Sequence, residues 1–333
     1  MNTKKLILLI VSLYLLNSSC IKKSNLVTKT EFIMDTIVEI SVIPKTTVNS
    51  IKLITNAMNE IKRIEASFDR YKKDSLVAKF NKREQDVIDP ELYELIDFSL
   101  NISRISDGAF DITIAPLVDL WNFKNDKPTL PSKKNIVAAK HFIGWQKITS
   151  DKTSDFIVPF GINIDLGGMV KGYAVDRAIE VLKQNGIKSA LVNAGGDIFA
   201  LGSKNGNPWK IGIQDPRNTE KIIGIIELEN KAIVTSGDYE RFFMHNGVRY
   251  HHILDPKTGY PAKGISSVTI TAESCKYADS LSTAVFVLGK EKGLVLIESL
   301  ENVEGIIVTD KNELILTKGM KSHFKQLNNE QNI

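Results

Sequence analysis

Asn163-Ile164-Asp165-Leu166-Gly167-Gly168-Met169-Val170-Lys171-Gly172-Tyr173-Ala174-Val175-Asp176 is the stretch around which this 333-residue chain is organised. Before it, Gly161 to Leu166 alternates apolar and polar residues, the period of a short half-buried strand. After it, Val170, Ala174, Ala178, Val181 and Leu182 recur at helical spacing until Gly186 supplies a stop. A strand, two glycines and a helix start let a ligand approach the backbone, with first-turn N–H groups aimed at an anion. Asp165 and Lys171 add one charge of each sign. On spacing alone, a tight turn without a ligand accounts for the stretch as well as an anion site does.

On the N-terminal side, Phe32, Met34, Thr36, Val38, Ile40 and Val42 alternate, predicting a strand or a hairpin kinked near Met34-Asp35-Thr36. Ile51, Ile54, Met58, Ile61 and Ile64 mark an amphipathic helix, and Phe68-Asp69-Arg70-Tyr71 follows as an aromatic loop. Asp89-Pro90 is a helix start, with a capping carboxylate and proline at the first helical position. On the C-terminal side, short strands pair around Asn193-Ala194-Gly195-Gly196-Asp197, and Ser236 to Arg241 reads as a polar loop. Val248 to Leu254 alternates and carries His251 and His252 on opposite faces. Ser267 to Thr271 is a strand, and Ala278 to Leu288 a helix closed by Gly289. Paired strands with isolated helices predict an α+β class, with largely antiparallel sheets and packed helices in one domain over residues 31–325.

Composition narrows the function. The chain is 43% hydrophobic and 25% charged, and its net charge of +4 is spread without a basic block. Nucleic-acid binding therefore has no support. Lys4 and Lys5, the apolar run Leu6 to Leu16 and Asn17-Ser18-Ser19-Cys20 read as an export signal over residues 1–19. The run is too short to span a bilayer. Its ending resembles a bacterial lipoprotein signal, although Asn17 stands where that signal usually has leucine. The expectation is an acylated Cys20, a tether over residues 20–30 and a membrane-anchored domain on the periplasmic side, with a plain secretory signal cut near Ser19 as the alternative. Cys275 is the second of two cysteines and reads as a small packing residue.

Asp279 and Thr283 are four apart, hence on one helix face. Two oxygen side chains so placed could bind a hard cation such as Mg²⁺. On that spacing alone the better reading is a capping aspartate beside an ordinary threonine. A lone strand histidine such as His252 is likewise more often structural than catalytic.

Taken together, six segments change the reading. Ser106 to Phe123, Asn163 to Asp176, Val192 to Ile198, Ser236 to Arg241, His251 to Gly259 and Ala278 to Gly289 resemble the ApbE family of FAD:protein FMN transferases, in the family's order. The resemblance implies a Mg²⁺-dependent transfer of FMN from FAD to a threonine hydroxyl of a partner protein, with AMP released. It implies FAD contacts at Met34, Ala109, Phe110, Asp111, Asp165, Lys171 and Ile253, with Tyr71 in the matching aromatic loop. It implies metal ligands at Gly168, through its carbonyl, at Asp279 and at Thr283, with Ser282 a further candidate. His252 is the candidate base, since unperturbed imidazole titrates near neutral pH. Departures are Asp35 for the usual glycine, Asp69 for serine and Val170 for alanine.

The implied acceptor carries a Ser/Thr-Gly-Ala-Thr type of motif, expected on a subunit of a membrane redox complex. This chain has Asp107-Gly108-Ala109-Phe110 instead, without that threonine. Two alternatives stand beside the transferase. One is a pyrophosphatase giving FMN and AMP. The other is a lipoprotein that holds FAD without chemistry, and simple storage would not need a metal at the pyrophosphate.

Overall fold

The alternation from Phe32 to Val42 becomes an antiparallel hairpin, Val27–Ile33 on Thr36–Val42, in the computed structural model, which describes residues 26–44, 49–84, 87–124, 128–150 and 156–327. Cys20 and the export signal lie outside the described residues. Met34 and Asp35 form the two-residue turn, both left-handed at φ 57°, as a turn matching strand twist requires. Aspartate tolerates that conformation better than most residues. The strand begins at Val27, so Val27 to Thr30 belong to the sheet and not to a tether. Lys29 and Glu31 occupy half-buried positions of this strand, so the apolar alternation does not extend into it. Thr28 Oγ1 pairs with Ser41 Oγ at 2.7 Å.

The hairpin opens an eight-stranded sheet that continues through Ala190–Ala194, Asp197–Leu201, Lys231–Gly237, Ile265–Ala272, Glu304–Thr309 and Leu314–Leu316. Every neighbouring pair is antiparallel. Ser236 and Gly237 close a strand here, so the polar loop starts at Asp238. Val38, Ala194, Asp197, Val234 and Ile270 are cross-strand partners and therefore share one face. That face is covered by helices Ser50–Phe68, Val170–Gln184 and Cys275–Glu298. Ile54, Met58, Ile61, Ile64 and Phe68 form the buried stripe of the first of these. The other face packs Ile233, Ile306 and Val308 against a three-stranded sheet through Ile211, Ile213 and Ile226.

Two expected helix signals hold. Asp89 Oδ1 accepts the Glu91 and Leu92 N–H groups at 2.9 and 3.3 Å, starting Pro90–Ile105. Gly289, at φ 79° and ψ 178°, breaks the helix after Leu288. The expected strand over Gly161 to Leu166 does not form. Ile162, Ile164 and Leu166 are buried as the alternation predicts, yet the backbone finds no neighbouring strand. Instead the Asn81 amide clamps Ile164, accepting from its N–H at 2.8 Å and donating to its carbonyl at 2.9 Å. Asp165 N–H donates to Ile112 O at 2.7 Å. No helix among the described residues is long and apolar enough to cross a membrane.

Candidate active site

The organising stretch and the last strong helix are knitted together at their N-termini. Asp176, on Val170–Gln184, accepts the Cys275 and Lys276 N–H groups at 2.7 and 2.8 Å. Gly172, one turn earlier, faces the Cys275 backbone so closely that a Cβ there would lie 2.6 Å from its carbonyl carbon and 2.9 Å from Asp279 Cβ. Only a residue without a side chain permits that approach. The capping reading of Asp279 is thereby corrected. Its own helix is capped by Ser274, which accepts from Tyr277 N–H. Asp279 Oδ2 instead accepts from Gly172 N–H at 3.1 Å, satisfying a first-turn donor of the neighbouring helix that Met169 does not cap.

Gly168 and Thr283 lie at the same junction. A Cβ at Gly168 would come within 3.8 Å of Thr283 Oγ1 and 3.1 Å of the Phe110 ring. Gly168, far upstream in sequence, is thus brought to the helix that carries Asp279 and Thr283. Ser282 differs. Its hydroxyl is fully buried, donating to Asp279 O at 2.9 Å and paired with Ser236 Oγ at 2.7 Å. It buttresses the helix start against the sheet.

Lys171 reaches across to the hairpin tip Gly195-Gly196. Its ammonium donates to Gly195 O at 3.1 Å and lies 2.8 Å from Asp197 Oδ1. Asp197 is completely buried, and its Oδ2 has no hydrogen-bond partner. Burial pushes the Asp279 carboxyl well up, and the neighbouring Asp197 charge adds to this. Asp197 is raised by burial too, with Lys171 opposing. The Lys171 ammonium is itself held up: burial disfavours its charge, but Asp197 and Asp279 outweigh that. Two buried carboxylates face one ammonium, leaving one negative charge for a proton or a cation to offset.

A second wall carries the residues expected to touch a flavin nucleotide. Asp165 Oδ1 accepts from Gly167 N–H at 2.8 Å, and its Oδ2 accepts from Arg70 Nε at 2.7 Å. Arg70 also donates to both Asp119 oxygens, at 3.1 and 2.6 Å, and to the Tyr71 hydroxyl at 2.6 Å. A cavity of 440 Å³ lies alongside, lined by Asp35, Asp69, Tyr71, Asp119, Asn122 and Lys124. Met34 closes the hairpin beside it, and Thr36 packs directly on Gly195.

Ala109 and Phe110 are buried, and the Phe110 ring packs against Gly168. The Asp111 carboxylate is turned inward. Its Oδ1 accepts from Thr113 N–H and Oγ1 at 2.8 and 2.6 Å, and its Oδ2 from Trp145 N–H at 3.0 Å. The side chain therefore pins the loop, and any ligand contact at 111 falls to the backbone.

The strand carrying the histidines ends at His251. His251 is structural, its ring bonded to Ala262 O at 2.9 Å and to Ile253 N–H at 3.3 Å. His252 sits in the bend that follows, its Nδ1 buried and unpartnered. Burial, with Arg241 nearby, drops its pKa to about 3. The expectation of a histidine titrating near neutrality is corrected: in this state the imidazole is neutral and weakly basic. Ile253 is buried and accepts from Ala262 N–H at 3.0 Å.

Arg70, Asp119, Asp176 and Asp197 are the residues that sequence reasoning did not single out. Asp197 had a signal, an acid following a glycine turn inside a matching segment. Asp176 closed the organising stretch without an assigned task. Arg70 lies in the aromatic loop and Asp119 in the segment Ser106 to Phe123, but nothing in either stretch announces that the two pair.

An α+β domain here sets the start of one helix, with Lys171 in its first turn, against the buried carboxylates Asp197 and Asp279. The chain belongs to the ApbE family, whose model matches residues 34–307. It is 32% identical over 282 residues to a FAD:protein FMN transferase of Klebsiella pneumoniae, spanning 83% of this chain and 88% of that one. Identity is 34% over 260 residues to the FAD:protein FMN transferase of Treponema pallidum, 72% of each chain. Among solved structures, the ApbE protein of Thermotoga maritima superposes with TM-score 0.83 at 37% identity, covering 90% of this chain and 99% of that one. The flavin transferase ApbE of Vibrio cholerae gives 0.80 at 29% identity, with the same coverage of each chain. The chain is accordingly an enzyme of the transferase class.

Proposed function

We propose that this chain transfers the FMN half of FAD to a threonine hydroxyl of a partner protein, with Mg²⁺ required. The observation that carries this reading is the charge imbalance at Asp197, Asp279 and Lys171, set against the helix start that follows Gly167-Gly168. Among the described residues, no group of three or more His, Cys, Asp or Glu side chains could hold a metal. A cation here would rest on Asp279, Thr283 and the Gly168 carbonyl, completed by water and phosphate oxygens. That all-oxygen, partly hydrated set suits Mg²⁺ and not zinc. When bound, the ion would offset charge on the pyrophosphate.

The chain's own groups have separate tasks. The positive end of the helix that starts after Gly167-Gly168, together with the Lys171 ammonium, attracts phosphate oxygens. Tyr71 offers an aromatic face to a flavin or adenine ring. His252, neutral and with Nδ1 unpartnered, is free to take the hydroxyl proton. Anionic phosphates placed beside it raise its basicity from the ligand-free value. The threonine oxygen attacks the FMN-side phosphorus. The bond from that phosphorus to the bridging oxygen breaks, and AMP leaves with that oxygen.

The partner presents a Ser/Thr-Gly-Ala-Thr type of segment, and the enzyme is held at the outer side of a bacterial membrane through Cys20. The test is incubation of the enzyme with FAD, Mg²⁺ and an acceptor domain, followed by mass spectrometry. The expected product is an acceptor heavier by one FMN. Release of FMN and AMP with an unmodified acceptor would mean a pyrophosphatase instead.

A further inference from the structure

The side chain that joins the most parts of the flavin wall is Arg70, and nothing in the chemistry above uses it. Its side chain is only 10% exposed, and two of its partners, Tyr71 and Asp119, line the cavity. It spends its donors on three segments at once: Asp165 beside the glycine turn, Asp119 on the helix Ala115–Trp121, and the adjacent Tyr71 hydroxyl. Its guanidinium also lies 4.2 Å from the Tyr71 ring centroid. A planar fork can hold a carboxylate in bidentate fashion while stacking on an aromatic face, and lysine cannot.

There is an electrostatic reason for this arrangement. The wall carries Asp35, Asp69, Asp119 and Asp165, an unfavourable lining for a ligand with a pyrophosphate. Lys124 sits on Asp35 at 2.6 Å, and Arg70 answers Asp119 and Asp165 together.

We infer that Arg70 is a positioning residue for nucleotide binding, fixing Tyr71 and Asp165 in place and cancelling the carboxylate charge of Asp119 and Asp165 beside the anionic ligand. This rests on the flavin-nucleotide reading of the site. Two consequences separate it from a merely structural arginine. Loss of Arg70 should weaken FAD more than riboflavin, which has no phosphate. Removing one freed carboxylate should then restore binding.

The experiment measures FAD and riboflavin affinity by calorimetry for the wild type, Arg70→Gln, Arg70→Lys, Asp119→Asn and the Arg70→Gln/Asp119→Asn pair, each with a melting curve. Arg70→Gln should weaken FAD roughly ten- to hundredfold, the range for losing a charge-assisted bond, and riboflavin by much less. The FAD deficit should shrink in high salt. Arg70→Lys should fall between, and Asp119→Asn should recover most of the Arg70→Gln loss. In turnover, KM for FAD should carry the effect more than kcat. Unchanged FAD affinity in Arg70→Gln overturns the inference. So does an equal loss of both ligands without rescue by Asp119→Asn. If Arg70→Gln does not fold, the FAD-to-riboflavin ratio of Arg70→Lys decides on the same terms. A wild type that binds FAD while the variants behave as it does sinks only this inference, whereas a wild type that binds neither flavin sinks the reading beneath it as well.

Discussion

Substituting Gly172→Ala tests whether the two helix starts must touch for the site to exist. The added Cβ would sit 2.6 Å from the Cys275 carbonyl carbon, closer still to its oxygen, and 2.9 Å from Asp279 Cβ. An ordinary carbon contact is about 3.5 Å, so the helices must part by about 1 Å. Backbone, not a flexible side-chain tip, stands in the way. Overpacking of this kind costs about 1–3 kcal/mol, while alanine's better helix propensity returns about 1 kcal/mol. The net loss of stability is therefore modest, on the order of a few degrees in melting temperature. Activity should suffer far more. The displacement stretches the Gly172 N–H bond to Asp279 and shifts Lys171 relative to Asp197. A misplacement of about 1 Å at reacting groups can cost roughly a hundredfold. The assay is FMN transfer to an acceptor domain, followed by mass, beside a thermal melt of the same preparation. A variant within twofold of wild-type turnover would refute the claim that close approach at Gly172 sets the geometry of the site.

Other perturbations have distinct signatures. Asp279→Asn keeps an oxygen for Gly172 N–H but removes the charge a hard cation prefers; turnover should fall by orders of magnitude while the melt changes little, and normal Mg²⁺-dependent turnover would defeat the assignment. Asp176 has its carboxyl pushed from 3.8 to about 6 by burial, against the pull of the Lys276 and Cys275 N–H groups. The folded state thus holds the proton more tightly, so this contribution to stability is full below pH 4 and is lost as pH rises through 6. It amounts to about 3 kcal/mol, and the wild-type stability measured against Asp176→Asn should decline over that interval; a flat difference would contradict the burial argument. Cys20→Ser should release the protein from the membrane fraction or leave an uncleaved precursor, and wild-type protein with an unmodified N-terminus upstream of Cys20 would exclude the lipid anchor.

How much of this was legible in the chain depends on the range of the interaction concerned. The helix starts at Asp89-Pro90 and Val170 and the break at Gly289 are local events, set by capping, spacing and backbone freedom within a few residues, and the sequence carries them openly. Gly161 to Leu166 shows the limit of periodicity. Its alternation reports burial truthfully, but a strand needs a neighbour, and Asn81 takes that neighbour's place from 83 positions away. The site divides along the same line. Gly168, Asp279 and Thr283 were found as members of matching segments, and the packing at Gly172 explains why those segments meet. Asp119 also lies in a matching segment and Arg70 in the aromatic loop, yet no local pattern announces their pairing 49 positions apart. Asp279 is the instructive middle case. Its spacing from Thr283 was seen, but the capping reading it also allowed assumed that a helix-start carboxylate serves its own helix. The structure makes it serve the other one, which places it beside Asp197 and Lys171, where one buried negative charge is left for a proton or a cation to offset.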